Sequence, residues 1–111
     1  LINVYVQRAS NERIDSFSMD GHADFAEHGQ DIVCAGASAV SFGSINAIMA
    51  LTEVEPIIEQ SSDGGFLRCI IPDDIPQEAD SKVQLLLNSM VISLQTIERD
   101  YSDFIKITFK K

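Results

Sequence analysis

Ile32-Val-Cys-Ala-Gly-Ala-Ser-Ala-Val-Ser-Phe-Gly-Ser-Ile-Asn-Ala-Ile-Met-Ala-Leu-Thr52 contains no charged side chain, and its reading decides the fold. The run is long enough to span a bilayer. Its composition points elsewhere. Ser38, Ser41, Ser44, Asn46, Gly36 and Gly43 interrupt it, and its flanks are Asp31 and Glu53. No Lys or Arg stands nearby to set an orientation in a membrane. The run reads as the buried central helix of a small α/β protein, over about residues 33–51. It is apolar nearly all round, with small residues where other elements approach. Asp31 stands where an N-cap is expected, and Pro56 stops any continuation.

Outward from this helix the chain alternates. Ile2, Val4 and Val6 alternate with Asn3, Tyr5 and Gln7, the period of a half-buried strand. After the turn Ala9-Ser-Asn-Glu12, residues 13–19 form a second strand antiparallel to the first, ended by Asp20-Gly21. Residues 57–60 and 66–71 are strands joined by the turn Ser61-Ser-Asp-Gly-Gly65, whose glycines accept positive φ. Asp73-Asp-Ile-Pro76 opens a second helix, with acids at its N-terminal end and Pro in its first turn. Val83, Leu86, Leu87, Met90, Val91, Leu94, Ile97 and Tyr101 give it one apolar stripe. Ile105, Ile107 and Phe109 alternate with lysines and Thr108 in a last strand. The expected fold is α+β, a single-domain α/β sandwich over residues 1–111. Its order is ββαββαβ, with two helices on a mostly antiparallel sheet.

Composition narrows the function. A chain of 111 residues is bounded to one domain, and 45% apolar residues exclude disorder. Cys34 and Cys69 are too few for a disulfide framework, and no secretory succession opens the chain, so a reducing, cytoplasmic setting is expected. Seventeen acids against eight bases give a net charge of −9, which argues against nucleic acid as a direct partner. The acidity serves either solubility or attraction to a basic partner.

The chemistry gathers in Gly21-His-Ala-Asp-Phe-Ala-Glu-His-Gly-Gln-Asp-Ile-Val-Cys34. A cysteine at a helix N-terminus, with an imidazole one loop away, has what a thiolate nucleophile and its acid/base partner need. The competing reading is a cysteine packed in the core. Ser38 and Ser41 follow Cys34 at i+4 and i+7; Ser38 either supports the thiolate and its loop or allows close packing. Asp31 either caps the helix or orients the His22 ring. Free N–H groups at the helix start are candidates to receive an oxyanion. Gly21 and Gly29 bracket a loop that is either a hinged lid or a plain turn. Phe25, its one large apolar side chain, either meets substrate or packs inward. Asp24, His28, His22, Asp31 and Cys34 include zinc-type ligands, but their spacing fits no compact zinc site, and no metal or cofactor is expected. Cys69, mid-strand, reads as packing.

Gly21-His-Ala, Gly29-x-Asp31-Ile-Val-Cys-Ala35 with Ser38, Asn46-Ala and Ser93-Leu-Gln-Thr-Ile97 together resemble the bacterial ribosomal-processing cysteine protease family, Prp. The resemblance covers essentially the whole chain. It implies an endopeptidase that removes the N-terminal extension of large-subunit ribosomal protein number twenty-seven, working as a homodimer. It implies Cys34 as nucleophile and His22 as general base and acid. Asp31, Ser38 and Gly21 would be supporting residues. Apart from the resemblance, the loop's flanking glycines and mostly small or polar side chains mark Ala23, Asp24, Phe25 and Gly29 as a substrate loop. No family role falls on His28. The acidic chain suits a basic ribosomal substrate. The alternative is a non-enzymatic, acidic, ribosome-associated binding module with an inert Cys34. Thiol reactivity separates the two.

Overall fold

The computed structural model describes residues 1–27 and 29–111. Its elements run β1 (Ile2–Arg8), β2 (Ile14–Asp20), α1 (Ile32–Thr52), β3 (Ile57–Gln60), β4 (Phe66–Ile70), α2 (Gln77–Asp100) and β5 (Ile105–Lys110). This is the ββαββαβ order expected, with element ends shifted by a residue or so. The α2 start differs slightly: Pro76 occupies the N-cap position rather than the first turn, where Glu78 and Asp80 stand instead.

The strands form one sheet in the order β3-β4-β2-β1-β5. Every ladder is antiparallel except β1–β5, which pairs Ile2 with Ile105 and Val4 with Ile107 in parallel. A parallel neighbour needs a crossover, and α2 supplies it. The alternation along β1 and β2 sends Ile2, Val4, Val6, Phe17 and Met19 to one face, and a bulge opposite Gln7 and Arg8 turns Ile14 inward as well; all are buried. Asn3, Tyr5, Gln7, Ser16 and Ser18 lie on the other face, half-buried, with no helix above them. α2 lays Val83, Leu87, Met90, Val91 and Leu94 into the core. Its Gln84 side chain exchanges two hydrogen bonds with the backbone of Ile14, at 2.7 and 2.9 Å. Arg13 adds bonds to Asp80, Asp15 and the Pro72 carbonyl, so the start of β2 is tied to the start of α2.

α1 departs from expectation. It is not buried all round. Val33, Ala37, Ser41, Ile45 and Ile48 form one buried stripe, while Ile32, Phe42, Met49 and Leu51 stay exposed. The helix has the length and apolarity to cross a membrane, yet it packs here against α2 and reaches β2 of the sheet through Ser41 and Met19. Its lack of charge follows from one face packed in the core and a second face that is apolar but uncovered. The small residues on the inner stripe let α1 approach the sheet: Ser41 Oγ donates to Met19 Sδ at 2.8 Å.

Candidate active site

β2 ends at Asp20, and Gly21 turns the chain with φ +86°. An L side chain is strained there, and a Cβ would also lie 2.4 Å from the Leu1 carbonyl oxygen. Only glycine fits, and the turn delivers His22 to the end of the sheet. From the other side, α1 begins at Ile32 and presents Cys34 in its first turn. His22 and Cys34 together line two adjoining cavities. Cys34 is partly exposed, as a nucleophile must be. No hydrogen bond joins the imidazole to the sulfur. Instead the N–H of Ala23, the residue after His22, donates to Cys34 Sγ at 3.3 Å. That donor and the positive end of α1 both favour negative charge developing on the sulfur.

Asp31 makes this arrangement possible. It is buried, and its two oxygens do different work. Oδ1 accepts the N–H groups of Val33 and Cys34, both at 3.0 Å, and so caps α1. Oδ2 accepts those of Phe25 and Ala26, at 2.9 and 3.4 Å, and so anchors the preceding loop. Burial works to raise the carboxyl's pKa, but these backbone donors outweigh it and hold Asp31 below the usual range. Of the two roles open from sequence, capping is the one its bonds make; neither oxygen bonds to His22. The same bonds correct a second expectation. The Val33 and Cys34 amides are occupied by Asp31, so they are not free for an oxyanion.

The remaining predicted residues divide. Ser38 is exposed and lines both cavities beside Cys34. Ser41 is turned inward to Met19. Asp24 and Gly29 line the second cavity. Ala23 is buried. Phe25 lines neither cavity: its ring stands edge-on to Tyr101 and Phe104, at centroid distances of 5.6 and 5.1 Å. The ring thus packs on Tyr101 and Phe104 yet stays 40% exposed, so part of it remains open at the surface. His28 lies outside the described residues, and with it the ligand set that would include it. Among the described residues no three His, Cys, Asp or Glu side chains gather as metal ligands. Cys69 is fully buried in β4, and burial pushes its thiol up to about 11, which leaves it unreactive at neutral pH.

The structure adds residues that the sequence reading missed. The first cavity is about 230 Å³ and is walled by Met19, Phe42, Phe66 and Leu67, with Asp63 and Gly65 of the β3–β4 turn at its rim. That volume is below the usual range for a whole small-molecule site and suits one side chain of an extended peptide. Gly64 takes φ +78°, as the turn requires, but Gly65 does not. A Cβ on Gly65 would instead meet His22 Nε2 at 3.2 Å. The second glycine of the doublet therefore serves the histidine, and the doublet itself was the signal: one glycine suffices for the turn. Asp63 Oδ1 accepts from Ser61 Oγ at 2.6 Å and from the Gly65 N–H at 2.9 Å. These bonds, with the charge of His22 contributing, hold its carboxyl below the usual range.

Comparison with known proteins agrees over the full length. The family profile described as Cysteine protease Prp matches residues 1–106. The chain is 46% identical over 108 residues to the ribosomal processing cysteine protease Prp of Bacillus subtilis (strain 168), covering 97% of this chain and 96% of that one. It is 44% identical over 110 residues to the Prp protein of Staphylococcus aureus (strain Mu50), covering 99% and 100%. Among solved structures, S. aureus Prp with a covalently linked product peptide superposes with a TM-score of 0.91 at 43% identity, over 99% of this chain and 100% of that one.

Proposed function

Because the chain belongs to the cysteine protease Prp family, we propose that this cysteine protease removes the N-terminal extension of large-subunit ribosomal protein number twenty-seven during ribosome assembly. The observation that carries the reading is the pairing of Cys34 and His22 on one cleft, with a backbone N–H already donating to the sulfur. In this reading His22 takes the proton of the Cys34 thiol, and the thiolate attacks the scissile carbonyl carbon. The C–N bond breaks, and the leaving amine takes the proton from His22. A water then attacks the thioester, with His22 as base. The acyl–sulfur bond breaks, the carboxylate leaves and the thiol is restored.

The rest of the loop has supporting parts. Gly21 aims His22, Asp31 fixes the loop to the helix that carries Cys34, and Ser38 borders the sulfur. The apolar walls, Met19, Phe42, Phe66 and Leu67, suit an uncharged side chain of the peptide beside the scissile bond. The net charge of −9 suits a cationic ribosomal protein as substrate rather than ribosomal RNA. The protease acts in the cytoplasm, as one domain over residues 1–111 and as a homodimer. The exposed apolar side chains of α1, Ile32, Phe42, Met49 and Leu51, offer surface for a second copy to cover.

Incubation with the N-terminally extended ribosomal protein, followed by mass spectrometry, tests the reading. The expected products are the mature protein and one short peptide. An uncut substrate, or cuts scattered along it, refutes the assignment.

A further inference from the structure

The turn of the β3–β4 hairpin, residues 61–65, closes one end of the cleft. It is held against the site from both directions. The Gly21 N–H donates to the Gly65 carbonyl at 3.0 Å, one residue before His22. The Ser61 hydroxyl and the Gly65 N–H fix the Asp63 carboxylate within the turn. A methyl group on Gly65 would lie 3.2 Å from His22 Nε2 and 3.3 Å from Asp63 Oδ1. The imidazole and the carboxylate therefore flank a single methyl-sized gap. Asp31, the acid nearest in sequence to a partner's role, has spent both oxygens on backbone amides.

We propose that Asp63 is the positioning residue of His22: across the gap that Gly65 leaves open, its carboxylate holds the Nε2 edge of the ring and favours the imidazolium formed when the Cys34 proton is taken. This rests on the reading of His22 as the acid/base group. It gives the third role of a nucleophile–base–acid set to a residue from a separate part of the chain. The other ionisable groups facing His22 are Cys34 from α1, Asp24 and Asp31 on the second cavity, and the Leu1 amine, which donates to the His22 carbonyl at 2.6 Å. Of the three carboxylates, Asp63 is the one beside Nε2.

Asp63→Asn is the test. The amide keeps an oxygen to accept from Ser61 and Gly65, so the turn stands and only the charge is lost. The limb of the kcat/KM–pH profile that His22 sets as base moves to lower pH, the direction expected when a nearby negative charge is removed. The NMR titration midpoint of the His22 ring falls by the same amount. kcat drops while KM holds. Ser61→Ala weakens the turn and keeps the charge, so it retains the parent pH profile. A parent-like profile and titration in Asp63→Asn overturn the proposal. If His22→Ala still cleaves, the acid/base reading fails instead; the ring titration needs no turnover and still reports whether Asp63 and His22 are coupled.

Discussion

Gly65→Ala should damage catalysis without damaging the fold. The φ of Gly65 lies outside the left-handed region, so the backbone accepts alanine. The smaller unfolded-state entropy of alanine offsets part of any crowding, and global stability should change by less than about 1 kcal/mol. The new methyl group meets His22 Nε2 at 3.2 Å and Asp63 Oδ1 at 3.3 Å, each a few tenths of an ångström inside ordinary contact. The ring, partly solvent-facing, is the group that gives way. A 1 Å misplacement of a reacting group costs roughly 100-fold, so a shift of a few tenths should lower kcat roughly 3- to 15-fold. The methyl group sits at the rim of the first cavity and leaves its apolar walls, Met19, Phe42, Phe66 and Leu67, in place, so KM should change less than kcat. Thermal unfolding together with steady-state cleavage of an extended substrate peptide measures both quantities. Full kcat in a stably folded Gly65→Ala would refute the claim that the ring reacts from beside the hairpin. A loss of several kcal/mol of stability would refute the claim that the ring alone gives way.

Cys34→Ala should abolish cleavage and leave peptide binding intact, and Cys34→Ser should also fail, because a hydroxyl ionises far less than a thiol; gel analysis of the extended ribosomal protein reads both. His22→Ala should lower turnover by on the order of 100-fold or more, and His28→Ala much less. Equal losses in single-turnover assays would instead point to a metal site. The second-order cleavage rate should fall with added salt while kcat changes less, since charge attraction is screened beyond about 8–10 Å at about 0.1–0.15 M; a flat response assigns the acidity to solubility. Asp31 has a lowered folded-state pKa, so its contribution is complete above the ordinary carboxylate value of 3.8 and is lost as pH falls through the folded value. In Asp31→Asn that acid-dependent step should vanish from a pH series of thermal unfolding, because an amide does not titrate there; the lost acceptor for Phe25 and Ala26 lowers stability at every pH instead. A parent-like acid response would show that the step belongs to another group.

The elements were legible because each strand alternates and α2 carries one apolar stripe. The site was legible in its local half: Gly21, His22, Asp31 and Cys34 fall within fourteen residues, and their roles follow from a turn, a cap and a helix start. The cleft's other half was not. Periodicity tells which face of β4 is buried but is silent about its partner. Only the observed β2–β4 pairing, Asp20 opposite Phe66, carries the hairpin to His22. The outer face of α1 was misread for a related reason. Phe42 and Met49 are as apolar as Ile45 and Ile48, and hydropathy alone does not say which of them meet the sheet.

The pairing of β1 with β5 places the two ends of the chain side by side, Ile2 against Ile105. β2, which leads into His22, is bordered on its other side by β4. A growing chain therefore displays Cys34 and His22 long before either has its surroundings. The hairpin wall arrives only after residue 66, and the sheet closes only when the last strand is out. Contacts so distant in sequence form late and slowly. The two halves of the cleft therefore meet only once β4 has paired with β2, so the order of strand pairing is also the order in which the site is assembled.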